Sequence, residues 1–381
     1  LKLLSIEPTP SPNTMKLNVD ESVPKARTYT PDKLEEAPET IRRLLELEGV
    51  KSVFRVADFI SVERHSTGNW EQILSGVREV FGDETENRGP KPERGTGDPA
   101  EGFGEVRVHV QTFRGLPIQV KLTRDGEEKR VALPPRFAEA VMEAQKASEN
   151  MVMERRWEER DVRYGDLDEI GEEVVEELSA AYDQNRLRAL VQQAMKKKGS
   201  VTEPAGRKAI KVTPEMLDDP DWRKRYAALE RMDPGLEDLE VLGKALGDPK
   251  PSIRRLATAY LGSIEDPKVL PFLYRALKDP SVTVRRTAGD CLSDLGDPDA
   301  IGPMIEALKD KSKLVRWRAA MFLYETGDES ALPALREAQN DPEFEVRMQV
   351  KMALERIEKG EEAGGSVWRQ MTQRNENPGE D

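Results

Sequence analysis

Five arginines stand 31 residues apart at Arg223, Arg254, Arg285, Arg316 and Arg347, and the aspartates Asp248, Asp279, Asp310 and Asp341 keep the same interval. A guanidinium is a planar fork of donors that matches a carboxylate, so the two columns fit an internal ladder of bidentate pairs. The competing use is a basic groove for nucleic acid or an acidic partner. Residues 215–359 carry 23 basic against 28 acidic side chains. Nucleic acid is therefore disfavoured, because affinity there rests on neutralising phosphates. The residues next to the column vary: Arg255, Arg286, Trp317 and Met348, then Thr287, Arg318 and Gln349. Varied, large side chains on one helix face are either solvated surface or a contact surface. Trp and Arg are common interface anchors. Arg255, Arg286, Trp317, Arg318 and Met348 are thus the expected partner-binding residues.

Other reactive side chains are scarce. One cysteine (Cys291) and two histidines (His65, His109) exclude an intramolecular disulfide, a cysteine-ligated cluster held by one chain, and a three-histidine zinc site. Cys291 shares its repeat position with Leu229, Tyr260, Phe322 and Ala353, which predicts an inert core thiol. Asp166, Asp168 and Glu169 resemble the opening of a calcium loop but lack its later Gly and Glu, so a solvated helix start is the better reading. Trp157 and Tyr164 beside that acidic run could anchor a basic partner. No nucleophile–base pair, phosphate loop or dinucleotide fingerprint is present. The expectation is a protein that is not an enzyme, with no cofactor and no metal.

The elements that must position these residues come from a chain of 381 residues with net charge −13. That length suits two or three domains. No window holds the ~18 apolar residues of a membrane span, and the N-terminus lacks the basic and apolar regions of a signal peptide, so the expected location is the cytoplasm. Residues 1–81 read as an α/β unit. Strands are expected at Leu3–Ile6, Thr14–Val19, Val50–Val56 and Phe59–Glu63, with helices at Pro38–Leu47 and Trp70–Phe81. Phe54 and Phe59 either dock a partner or, as their alternating strand positions favour, pack on Trp70. The turn at Thr9–Asn13 is either rigid scaffolding or a recognition loop, with Asn13 as its candidate contact.

Residues 82–104 hold six Gly and three Pro, the composition of a flexible linker. Residues 105–195 read as a second α/β unit, with strands through Val106–Val110 and Ile118–Leu122. Helices follow at Pro135–Ser148, Leu167–Ala181 and Arg186–Met195. Residues 154–178 alone carry net −7. A second linker spans 196–214, and 360–381 reads as a disordered tail. Residues 215–359 are an internal repeat. Besides the arginines, Leu239, Leu270, Ile301 and Leu332 recur at 31, as do Ala245, Ala276, Ala307 and Ala338. Each repeat is a helical hairpin turned at Asp-Pro, where Asp accepts from following amides and Pro fits the first helical position. Hairpins with one apolar face each must stack into an α-solenoid.

Three resemblances follow. Leu277-Lys278-Asp279-Pro280, Val284-Arg285-Arg286-Thr287-Ala288 and Gly296-Asp297-Pro298 resemble the HEAT family, in its short bacterial form. That implies an α-solenoid fold and little about function. Thr9–Leu17, Gly49–Phe54, Asp58–Val62 and Trp70 resemble the N-terminal domain of the Nfu iron–sulfur scaffolds. Those proteins hold their cluster on a C-x-x-C motif in another domain, and this chain has no such motif. The whole arrangement, with the middle run from Met151 to Leu178, resembles the bacterial conserved virulence factor C family. The resemblance implies an accessory cytoplasmic protein affecting virulence-factor expression or metabolism. The expected fold is α/β plus all-α. The expected function is an adaptor that binds protein partners on the concave solenoid surface. The alternative is an accessory factor in iron–sulfur assembly or iron handling, recruited through the Nfu-like domain. A lyase-like or nucleic-acid-binding HEAT protein ranks last.

Overall fold

The computed structural model describes residues 1–9, 11–82, 104–196 and 209–361. The first linker apart from Gly82 and Gly104, residues 197–208 of the second, the tail beyond Glu361, and Pro10 lie outside the described residues. Contacts divide the chain into two compact units, Leu1–Phe103 with Leu292–Asp381, and Gly104–Cys291. Each contains one α/β region and a run of helices.

The α/β part of the first unit is a three-stranded antiparallel sheet, ordered β1 (Leu3–Pro8), β2 (Thr14–Tyr29), β3 (Val50–Arg64). Helices α1 (Glu39–Leu45) and α2 (Trp70–Phe81) complete the core with Ile41, Leu44, Ile73 and Val77 against Leu17, Val53, Ile60 and Val62. The two strands expected around Ala57-Asp58 are one strand. Ala57 takes φ 45°, and the register with β2 shifts on either side of its pairing with Val23. This bulge decides which residues face inward. Val53 and Arg55 before it, and Ile60, Val62 and Arg64 after it, are buried. Phe54 and Phe59 therefore fall on the opposite face from Trp70, and Lys16 lies 5.4 Å over the Phe59 ring. Their expected packing on Trp70 is corrected accordingly.

The second unit opens with a four-stranded antiparallel sheet ordered β6-β5-β4-β7, built from β4 (Glu105–Phe113), β5 (Leu116–Arg124), β6 (Glu127–Ala132) and β7 (Arg155–Tyr164). Helices α3 (Pro135–Gln145), α4 (Met151–Glu154), α5 (Leu167–Ala181) and α6 (Gln184–Lys196) accompany it. Phe137, Leu122, Ile170 and Leu187 are among its buried apolar residues. Strands β6 and β7 are absent from the sequence reading, since both are dominated by charged residues.

The helical hairpins form as the repeat requires. They run α7 (Trp222–Glu230), α8 (Leu239–Ala245), α9 (Pro251–Gly262), α10 (Leu270–Ala276), α11 (Val282–Leu295), α12 (Ile301–Ala307), α13 (Lys313–Thr326), α14 (Leu332–Ala338) and α15 (Phe344–Glu358). Short 3-10 turns capped by Asp266, Asp297 and Asp328 precede α10, α12 and α14. The repeat columns Leu242, Leu273, Met304 and Leu335 are fully buried. No described helix is long and apolar enough to cross a membrane.

Cys291 is half-buried rather than a core residue, and its thiol lies 3.5 Å from the Thr258 carbonyl oxygen. It sits against Gly262, where a Cβ would meet its Sγ and Cβ atoms. Gly262→Ala is expected to destabilise the protein by about 1–3 kcal/mol through this overpacking. Adding Cys291→Ala should recover only part of the loss, because the residue 291 Cβ stays close. Urea midpoints of the parent, single and double variants would show it.

Candidate functional site

The arginine column does form a ladder, and its geometry explains the 31-residue period. Arg254 reaches back to the carbonyls of Asp248 and Pro249 and forward to both carboxylate oxygens of Asp279, at 2.7 and 2.9 Å. Arg316 does the same with Asp310, Lys311 and Asp341. Arg285 takes the carbonyls of Asp279 and Pro280. The aspartates close their own turns, Asp279 accepting from Ser281 N, Asp310 from Ser312 N and Asp341 from Glu343 N.

The first rung is Arg225 and not Arg223. Arg225 holds the carbonyls of Asp219 and Pro220 and both oxygens of Asp248, at 2.7 and 2.9 Å. Each rung is set by distance from its turn, six residues after the aspartate. The first repeat is two residues short of the 31 period, so counting by period lands on Arg223, whose side chain is 57% exposed. The last rung, Arg347, keeps the carbonyls of Asp341 and Pro342 and reaches Glu71 on α2 at 3.2 Å.

The residues expected to meet a partner mostly meet the chain's own α/β regions. Arg255 is buried, 3.4 Å from Asp161 on β7 and 3.5 Å from Glu177 on α5. Arg286 is buried over the Tyr164 ring at 4.0 Å and donates to the Val162 carbonyl at 3.2 Å. Met348 packs against the core of the three-stranded sheet. Trp317 is itself buried, with the Arg318 guanidinium 5.0 Å over its ring. Asn13 is buried too, accepting from Arg64 Nε at 3.3 Å. Arg64 is 2% exposed, donates to Gly68 O, pairs with Glu345 of α15 at 2.6 Å and lies over Trp70. Trp70 in turn donates to Pro12 O at 2.9 Å. The Thr9–Asn13 turn is thus clamped from inside. As open contacts, Arg255, Arg286, Trp317 and Asn13 are corrected, because burial removes them from a partner's reach.

The most concentrated chemistry lies in the second unit, at residues the sequence did not single out. Arg163 on β7 donates to Glu177 at 2.7 Å, and Glu177 also lies near Arg255 and hydrogen-bonds the Tyr226 hydroxyl. Burial pushes the Glu177 carboxyl up, but the guanidiniums of Arg255 and Arg163 outweigh it and hold the group below its ordinary 4.5. Burial, then Glu177, raise the Tyr226 hydroxyl well above its ordinary 10.0. A cavity of about 210 Å³ opens beside this cluster. Its only sequence signal is a valine-poor, arginine-rich strand, which reads as surface until its partners are known.

The remaining candidates resolve simply. Asp166 caps α5, accepting from Asp168 N and Glu169 N, the solvated helix start expected. Trp157 is partly exposed beneath Lys121 and Arg130. Among the described residues no group of three or more His, Cys, Asp or Glu is placed to hold a metal.

Comparison with known proteins adds the family. Residues 4–88 match the scaffold protein Nfu/NifU N-terminal model, 111–191 a virulence factor model, and 210–287, 239–309 and 272–355 HEAT repeats. A crystal structure of protein SAV1430 from Staphylococcus aureus is 43% identical over 21% of this chain and 99% of its own, with a TM-score of 0.20. An uncharacterized protein of Bacillus subtilis, YpgR, is 59% identical over 98% of both chains. Conserved virulence factor C of Staphylococcus saprophyticus is 42% identical over 98% of this chain and 100% of its own. With all three segments matched in order and the relatives spanned end to end, the chain belongs to the conserved virulence factor C family.

Proposed function

We propose that this protein is a non-enzymatic adaptor of the cytoplasm whose helix pairs hold its own α/β regions and present their outer faces to protein partners. The observation that carries this reading is the placement of Arg255, Arg286 and Met348. The side chains best suited to capture a ligand are engaged by the same chain. HEAT repeats support a protein-interaction role, and what is left for a partner is the outside of the docked domains. The middle domain offers Met142, Val152 and Met153 there, each at least 70% exposed. Methionine adapts its shape to different partners, which suits such a surface.

The triple change Met142→Ser, Val152→Ser, Met153→Ser is expected to remove most of the proteins captured from lysate while leaving the melting temperature unchanged. Capture that survives the triple change but falls with Arg318→Ser would return the contact to the second helices. A second reading is supported by the Nfu/NifU-type N-terminal match: an accessory factor in iron–sulfur assembly, with a partner supplying the cysteines. Enrichment of cluster-assembly proteins by the N-terminal half of the surface, tested with the full chain as bait, would favour it. No enrichment, with no iron in protein purified without oxygen, would remove it.

A further inference from the structure

Of the nine large apolar side chains exposed among the described residues, four lie between positions 142 and 157 of the second unit. Met142, Val152 and Met153 are the most exposed of the nine, at 70%, 70% and 79%, with Trp157 at 37%. The fold itself makes no use of them. Helix α3 turns Phe137, Ala140, Val141 and Ala144 inward, and Met142 stands off that stripe. Helix α4 buries none of its residues. Single apolar side chains on a surface are ordinary, but a cluster of them marks a contact.

The charges around the cluster say what covers it. Glu139 and Glu143 flank Met142 on α3, and both are exposed. Arg155 and Arg156 follow Met153 at the start of β7, and they too are exposed. None of the four forms an ion pair among the described residues. The acids beside the arginines are committed elsewhere. Glu154 is held by Arg114 at 2.6 and 3.1 Å, and Glu158 by Thr112 and Arg160 at 2.8 and 3.3 Å. Lys146 and Glu149, between the two ends, offset each other. Glu159 lies beyond Trp157, opposite His109. In chain order the surface thus runs from an acidic end through exposed apolar side chains to a basic end. A wholly acidic or wholly basic partner would answer one end only. A second copy answers both, because a two-fold axis sets each end against the opposite end of its neighbour.

We propose that the outer face of α3 and α4 joins two copies of this chain in an isologous contact. Glu139 and Glu143 of one copy meet Arg155 and Arg156 of the other. Met142, Val152 and Met153 are covered between them, and the charges fix the orientation. The proposal rests on the reading of this face as a contact surface, and names a second copy as its occupant.

Sedimentation equilibrium of the full chain over a series of concentrations is expected to show a mass rising toward twice the 42.9 kDa of one chain. Glu139→Arg with Glu143→Arg should weaken the association about tenfold or more, since every charge pair of the two-fold contact turns repulsive. Arg155→Glu with Arg156→Glu should do the same. All four side chains are exposed, so both variants should keep the parent's melting temperature. Mixed in equal amounts, the two variants carry opposite charges at both ends again, and dimers should re-form as readily as in the parent. A parent that keeps the mass of one chain at every concentration would overturn the proposal. So would dimers indifferent to either charge reversal, or a mixture that stays monomeric. Capture that depends on Met142, Val152 and Met153 in a monomeric parent would overturn the pairing and leave the adaptor reading standing. Loss of capture beside an intact, charge-dependent dimer would do the reverse.

Discussion

Glu177→Ala is expected to lower the unfolding free energy by about 3–5 kcal/mol, the cost of removing one member from a buried ion cluster. The substitution leaves Arg163 and Arg255 facing each other without their shared carboxylate, and strips the Tyr226 hydroxyl of its acceptor. Most of that cost is the orphaned charge rather than lost attraction. Glu177→Leu combined with Arg163→Met and Arg255→Leu should therefore recover much of the loss, since apolar replacement of a complete cluster is far milder. Urea unfolding of the parent, single and triple variants separates the two.

The same carboxylate gives a pH dependence with a definite sign. Its folded-state pKa lies below the ordinary 4.5, so the unfolded chain binds the proton first as acid is added. The stabilisation is complete above the ordinary value and drains away as pH falls through the folded one. In Glu177→Gln that acid-side slope should be shallower than in the parent. Equal slopes would show that Glu177 does not titrate as described.

Arg64→Met is the second large effect, expected at about 3–5 kcal/mol. The side chain is almost wholly enclosed, and four things depend on it: Asn13, the Gly68 carbonyl, Glu345 and the face of Trp70. Glu345 is buried and would lose its cation, so Glu345→Gln added to Arg64→Met should return part of the loss. Arg64→Lys restores the charge without the fork, and should recover less than the parent contacts would suggest. Amide hydrogen exchange supplies the readout, with faster exchange expected in α15 and in the Asn13 turn. Exchange confined to β3 would contradict the link to Glu345.

Much of this architecture was legible because it is local. The Asp-Pro turns, the 31-residue spacing and the apolar columns each depend on residues a few positions apart, and the helical hairpins follow directly. The ladder was legible in kind but misplaced at its first member, since Arg225 is fixed by its distance from Asp219 and not by the period. The Ala57 bulge reverses facing without changing composition, which is why Phe54 and Phe59, five positions apart, share the face opposite Trp70. The arginine cluster could not have been found by spacing. Arg163, Glu177, Tyr226 and Arg255 come from β7, α5, α7 and α9, and only the folded unit brings them together. On the second helices Arg255, Arg286 and Met348 touch the same chain's α/β regions, and spacing along the sequence carries no sign of that.

Strand β7 is the outer strand of its sheet, and seven of its ten residues are charged. Open edges ordinarily invite another strand, either a peptide ligand or a neighbouring copy. Here the edge is met by side chains instead, with the Val162 carbonyl taken by Arg286. A strand added to that side of the sheet would have to displace this guanidinium from the Val162 carbonyl. The same charges keep partly folded chains from joining edge to edge during synthesis.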